Sequence, residues 1–153
     1  MRVAVACDHG GFPLKAAVTA CVVELGHQVL DLGTSSDVPV DYPDFAAAAA
    51  EAVLDGRADR AIVLCGSGIG AGVVANKFRG IRAGVCHDVY SAHQAVEHDD
   101  VNVLALGARV VGVALAEELV RAFLSARYGG QERFARRLAK VAAIEAKWGG
   151  GKR

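Results

Sequence analysis

The chain has 153 residues, 53% of them hydrophobic and 22% charged, with 18 glycines. That profile suits one soluble globular α/β domain of the usual size, roughly 100–200 residues, and excludes disorder or a fibrous repeat as the dominant state. The 17 basic and 17 acidic side chains cancel, so overall charge gives no sign of a nucleic-acid or acidic-membrane partner.

Arg2–Cys7 is a short apolar run ending in Asp8-His9-Gly10-Gly11, the pattern of a buried strand and its turn. Apolar residues at helical spacing, with Pro13 in the first turn and Gly26 as a stop, predict a helix over 13–25. The alternation continues with strands at Gln28–Leu32, Arg60–Cys65, Ile81–Cys86 and Val103–Leu106. Between them lie helices at Phe45–Leu54, Gly70–Phe78 and Val89–Glu97. Two further helices, Val110–Ser125 and Gln131–Lys147, close the chain. Parallel neighbours need crossovers, and right-handed crossovers cover both faces of a sheet. The expected fold is therefore α/β: a three-layer Rossmann-like domain over 1–147, with a five-stranded parallel sheet, a C-terminal helix extension and a flexible tail at 148–153.

Cys7, Cys21, Cys65 and Cys86 are separated by 14, 44 and 21 positions with no C-x-x-C pair, so neither a zinc site nor a disulfide framework is expected. No secretory leader is visible, and the longest uncharged run, Ala61–Asn76, is interrupted by Gly66, Ser67 and Gly68. A cytoplasmic setting follows as the expectation, with no metal, no cofactor and no membrane partner.

In an open parallel sheet, ligands sit at the carboxyl ends of the strands. There the sequence places Asp8-His9-Gly10-Gly11, Cys65-Gly66-Ser67-Gly68-Ile69-Gly70 and His87-Asp88. Alternating glycines free the backbone to approach a ligand and aim successive N–H groups at an anion. The run follows the third strand, so it is a phosphate cradle rather than a dinucleotide fingerprint, or else simply a tight strand-to-helix turn. Cys65 is either a thiol activated by the helix start or a buried apolar side chain; Cys7, Cys21 and Cys86 read as structural. His9 and His98, beside Asp8 and Asp99 in predicted loops, are candidate acid–base groups, and His87 could approach the site.

The zero net charge conceals a split. Residues 1–118 hold 8 Lys/Arg against 15 Asp/Glu, whereas residues 119–153 hold 9 against 2. Within the basic segment, Arg133 and Arg137 are four apart, on one helical face, and two guanidinium forks suit a phosphate monoester. Few aromatics interleave with these charges, which weakens an RNA-binding reading.

The ordered series Cys7-Asp8-His9-x-Gly11, Asp41-Tyr42-Pro43, Cys65-Gly66-Ser67-Gly68-x-Gly70, Ala75-Asn76-Lys77, Gly80-Ile81-Arg82-Ala83, His98-x-Asp100-x-Asn102-Val103-Leu104 and Gly107-x-Arg109 resembles the type B ribose-5-phosphate isomerases and their galactose-6-phosphate relatives. The resemblance covers roughly residues 1–147 and implies a metal-independent aldose–ketose isomerase acting through a cis-enediolate. It implies Cys65 as the proton-transfer base, with Ser67 and the N–H groups of Gly66, Gly68, Ile69 and Gly70 around the oxyanion. His98 would open the furanose ring, Asp8 and His9 would line the sugar and phosphate ends, and Tyr42 would form a wall. Arg109, Arg133 and Arg137 would hold the phosphate. Ala71 stands where another branch carries a glutamate, which points to the cysteine branch. The family also implies a homodimer with shared sites, and tetramers as a further assembly.

Two departures touch the substrate rather than the proton shuttle. Asp99 replaces the usual asparagine after His98, exchanging an amide that donates for an acceptor. Gly129-Gly130-Gln-Glu-Arg133-Phe134 replaces a Gly-Gly-Arg-His pattern. They leave open the same chemistry on another sugar or sugar phosphate, such as a tetrose phosphate, allose 6-phosphate or galactose 6-phosphate. A non-catalytic sugar-phosphate binding module is the alternative from another class.

Overall fold

The computed structural model describes residues 1–148. Its elements run β1 (Arg2–Cys7), α1 (Phe12–Glu24), β2 (Gln28–Asp31), α2 (Tyr42–Leu54), β3 (Arg60–Cys65) and α3 (Ile69–Ala75). They continue with β4 (Ala83–Val85), α4 (Val89–Asp99), β5 (Val103–Gly107), α5 (Val113–Ser125) and α6 (Glu132–Trp148). The five strands form one parallel sheet in the order β2-β1-β3-β5-β4.

Right-handed crossovers explain which helix covers which face. The steps β1→β2 and β4→β5 run one way along the sheet, and β2→β3 and β3→β4 run the other, so α1 and α4 share one face while α2 and α3 share the opposite one. The two cores bear this out. Val3, Val5, Ile62, Leu64, Leu104 and Leu106 point into a layer filled by α1, α4 and α5. The alternate residues Ala4, Ala6, Ala61, Val63, Val103 and Ala105 meet Ala46, Ala49, Ala50 and Ala52 of α2. Small residues on both sides of the second layer let α2 lie close on the sheet, whereas the first is filled by larger side chains such as Phe123 and Leu119.

Several boundaries differ from the sequence expectation. β4 shrinks to Ala83–Val85 because it is an edge strand paired only with β5. Helix α2 begins at Tyr42 rather than Phe45, with Pro43 in its first turn, where a missing N–H is harmless. His98 and Asp99, expected in a loop, are the last two residues of α4, which ends only at Asp100 in the left-handed region (φ 50°). Trp148, assigned to the tail, is the last residue of α6. The rest of that tail, 149–153, lies outside the described residues. None of the described helices is long and apolar enough to cross a membrane.

Candidate active site

The chain leaves β1 toward α1 on one face and leaves β3 toward α3 on the other, so a crevice opens between the carboxyl ends of these adjacent strands. A pocket of about 320 Å³ occupies it, lined by Asp8, His9, Gly10, Cys65, Gly66, Ser67, Arg109 and Val110. Six of these eight are sequence candidates; Gly10 was singled out only as part of its turn, and Val110 carried no signal.

Asp8 is the single buried charged residue among the described ones, at 5% exposure. A carboxylate so enclosed needs donors, and it has two: the Gly11 N–H at 2.8 Å on Oδ1 and the Cys65 thiol, Sγ to Oδ2 3.6 Å. The turn that brings this about depends on Gly11, whose position would set a Cβ 2.2 Å from the Leu64 carbonyl oxygen. Cys65, 8% exposed, thus sits on the pocket wall against a carboxylate. The other cysteines are enclosed, and burial raises all three thiols above their ordinary range, Cys7 to about 11.

After Cys65 the chain turns sharply into α3. Gly68 adopts φ 78° and lies so near the β5 backbone that a Cβ would meet the Leu106 carbonyl carbon at 2.9 Å. Ser67 Oγ accepts from the Ile69 N–H at 3.3 Å, which keeps the hydroxyl beside the loop amides. Tyr42 borders the same loop, its ring 2.8 Å from where a Gly70 Cβ would stand. Arg109 donates its backbone N–H to the Gly66 carbonyl at 3.0 Å, and its exposed side chain extends over Gly66. His9 is fixed through Nδ1, 3.2 Å from the backbone N and O of Val40. His87 stands behind the site, its Nε2 accepting from the Gly107 N–H at 3.2 Å, and Gly107 in turn abuts Ser67.

The remaining candidates form a separate group. His98 stacks on Phe134 with ring centroids 4.1 Å apart, and the Arg133 guanidinium lies 4.5 Å from the centroid of that same phenyl ring. Asp99 and Arg137 are exposed on the same two helices. None of these five residues lines the pocket. The reason is polarity: α4 runs antiparallel to the strands, so its C-terminal end faces their amino ends, and 11 helical residues span about 16 Å. Gln94 and Phe134 were not recognised from sequence as partners of His98; their i, i+4 spacing and aromatic character were the available signals.

The profile of the ribose/galactose isomerase family matches residues 3–141. Ribose-5-phosphate isomerase B of Escherichia coli is 47% identical over 144 residues, covering 94% of this chain and 96% of that protein. A D-erythrulose-4-phosphate isomerase of Pectobacterium atrosepticum is 42% identical over 132 residues, 85% of this chain and 86% of its own. Among solved structures, Clostridium thermocellum ribose-5-phosphate isomerase B superposes with a TM-score of 0.93 at 45% identity, covering 97% of this chain and 99% of that one. The chain belongs to the ribose/galactose isomerase family and is an aldose–ketose isomerase.

Proposed function

We propose that this chain interconverts ribose 5-phosphate and ribulose 5-phosphate through a cis-enediolate, with Cys65 moving the proton between C1 and C2. The observation that carries this is the Cys65–Asp8 pair on the wall of a pocket edged by glycine-loop amides. Asp8 accepts the thiol proton as the sulfur becomes the base. The Cys65 thiolate then takes the C2 proton; C1 and C2 become doubly bonded and the charge gathers on O1. Return of that proton to C1 and transfer of the O2 proton to O1 complete the ketose. Ser67 and the N–H groups of Gly66, Gly68 and Gly70 face the developing oxyanion, the kind of fixed donor set that lowers such a barrier, while the Ile69 N–H is taken up by Ser67 Oγ. His9 and Arg109 line the same pocket, where Arg109 takes the phosphate.

His98, Arg133 and Arg137 complete the site from a second copy in a two-fold dimer. A single chain holds His98 at the opposite end of the sheet from Cys65, and a two-fold axis turns that separation into two composite sites. Helix α6, with Val141, Ile144 and Trp148 exposed, supplies apolar surface for the pairing.

Two experiments decide the matter. Purified protein in deuterated water should convert ribose 5-phosphate with label entering the product, and Cys65→Ala should abolish it; binding without label is the signature of a non-catalytic module. Mixing Cys65→Ala and His98→Ala proteins, each inactive alone, should restore activity, because the mixed dimer keeps one site with both wild-type groups. Random mixing gives about a quarter of wild-type sites. No recovery would place both groups in one chain's own site.

A second reading keeps the chemistry on a tetrose or hexose phosphate. It is favoured by Asp99, exposed at the end of α4 beside His98 and offering only acceptors, and by the D-erythrulose-4-phosphate isomerase relative. Ranking sugar phosphates by kcat/KM, with Asp99→Asn alongside, separates the two.

A further inference from the structure

His98 is held on two sides by residues that carry no role in the chemistry above. On its own helix, one turn earlier, the Gln94 side-chain nitrogen lies 2.8 Å from Nδ1. An amide nitrogen has only hydrogens to offer, so Nδ1 accepts and the neutral imidazole carries its proton on Nε2. Across the helix pair, the phenyl ring of Phe134 lies 4.1 Å from the imidazole, 25° from parallel. Phe134 is the one buried residue of α6, at 2% exposure, so its ring is itself held fast. The same ring supports the exposed Arg133 guanidinium 4.5 Å from its centroid.

We infer that Gln94 and Phe134 are positioning residues: Gln94 fixes the His98 tautomer, Phe134 fixes the plane of its ring, and together they hold the imidazole as a hydrogen-bond donor through Nε2. This rests on the proposed role of His98 in ring opening. In that step Nε2–H donates a hydrogen bond to the furanose ring oxygen and stabilises the charge gathering there as the C1–O4 bond breaks with its electron pair going to O4. The O1 hydroxyl releases its proton to water as the C1 carbonyl forms, and O4 takes a proton from water, so the imidazole keeps its own. A ring carrying its proton on Nδ1, or free to rotate, presents a lone pair where the sugar oxygen needs a donor. Phe134 also couples the two groups, since Arg133, the phosphate ligand, rests on the ring that fixes the imidazole.

Ring opening can be separated from proton transfer because ribulose 5-phosphate, its only ring-forming hydroxyl esterified, is acyclic. Deuterium exchange at its C1 calls on Cys65 but not on ring opening. Gln94→Met and Phe134→Leu are therefore measured for kcat on ribose 5-phosphate, for C1 exchange on ribulose 5-phosphate, and for the His98 ring ¹⁵N shifts. The wild-type shifts should report the Nε2–H tautomer, and Gln94→Met should give a mixture. Its kcat on ribose 5-phosphate should fall by about tenfold, the usual order for losing a group that orients an imidazole, while exchange changes far less. Phe134→Leu should lose kcat in the same way and also raise KM through Arg133; Phe134→His, which keeps a flat ring, should recover most of both. An Nδ1–H tautomer in the wild type, or equal losses in turnover and exchange, overturns the proposal. If Phe134→Leu does not fold, Gln94→Met decides alone. If the wild type leaves ribose 5-phosphate unchanged, the substrate assignment fails and the ¹⁵N spectrum still decides the tautomer.

Discussion

The Cys7 thiol makes alkaline stability a quantitative test of the packing under the active-site loops. Cys7 ends β1 at 1% exposure, with Gly33 so close that a Cβ there would stand 2.7 Å from Sγ. Burial is the main cause that pushes its pKa from 9.0 up to about 11; Lys15 and a hydrogen bond with the Thr34 backbone oppose the rise, and Asp31 and Asp8 add to it. Between these two values the unfolded chain ionises this thiol while the folded chain keeps its proton. The folded state then binds more protons, so stability falls as pH rises above 9 and the loss is complete once pH exceeds about 11. With one pKa unit worth about 1.4 kcal/mol, the loss is about 2 kcal/mol near pH 10.5 and about 3 kcal/mol at the plateau. Urea unfolding of wild type and Cys7→Ala across this range measures it. The cavity left by the alanine costs the same at every pH, so the two stability curves should converge as pH rises. Curves that stay parallel would refute the claim that Cys7 is held protonated by burial.

Iodoacetamide at neutral pH should label Cys65 first, because it alone lines the pocket while Cys7, Cys21 and Cys86 are enclosed with thiols pushed upward; peptide mapping that found Cys86 first would contradict this. Gly11→Ala forces a Cβ to 2.2 Å from the Leu64 carbonyl oxygen, so β1 and β3 must part beneath Asp8 and Cys65. Expected are a stability loss of about 2–3 kcal/mol by denaturant unfolding and a fall in kcat beyond what the folded fraction explains. Arg60 donates to the Phe123 carbonyl and, at 2.9 Å, to the Ala126 carbonyl, and lies over the Phe123 ring, tying down the end of α5. Arg60→Met should cost about 3 kcal/mol, read as a lower urea midpoint, with KM unchanged.

The pocket was legible from sequence because its parts follow from local rules. β3 begins and ends where its apolar run does, and a cysteine followed by alternating glycines can only be a sharp turn at the end of such a strand. Asp8 beside Cys65 needed one further step, that β1 and β3 are neighbours, which the chain order alone does not dictate. The order of β4 and β5 was not legible, since both are short apolar runs and only the faces covered by α3 and α4 reveal that β5 lies inside. The end of α4 was hidden for a different reason. It stops at a left-handed aspartate instead of a glycine, and Asp100 is held there by Arg82, whose guanidinium meets the Asp100 carboxylate at 2.6 Å and its carbonyl at 2.7 Å.

That misplaced boundary changes what His98 can be. In a loop, it could be imagined swinging toward Cys65; as the penultimate residue of α4, with its ring against Phe134 and Nδ1 engaged by Gln94, it has a fixed direction. A parallel α/β chain places every crossover helix antiparallel to its strands, so residues at helix C-termini and residues at strand C-termini occupy opposite edges of the sheet. Cys65 belongs to the second class and His98 to the first. Between those two edges lies the sheet itself, with all five residues of β5 buried. On the function proposed above, a site that uses both groups is assembled between chains, and the geometry that separates them in one copy leaves two equivalent sites in a two-fold pair.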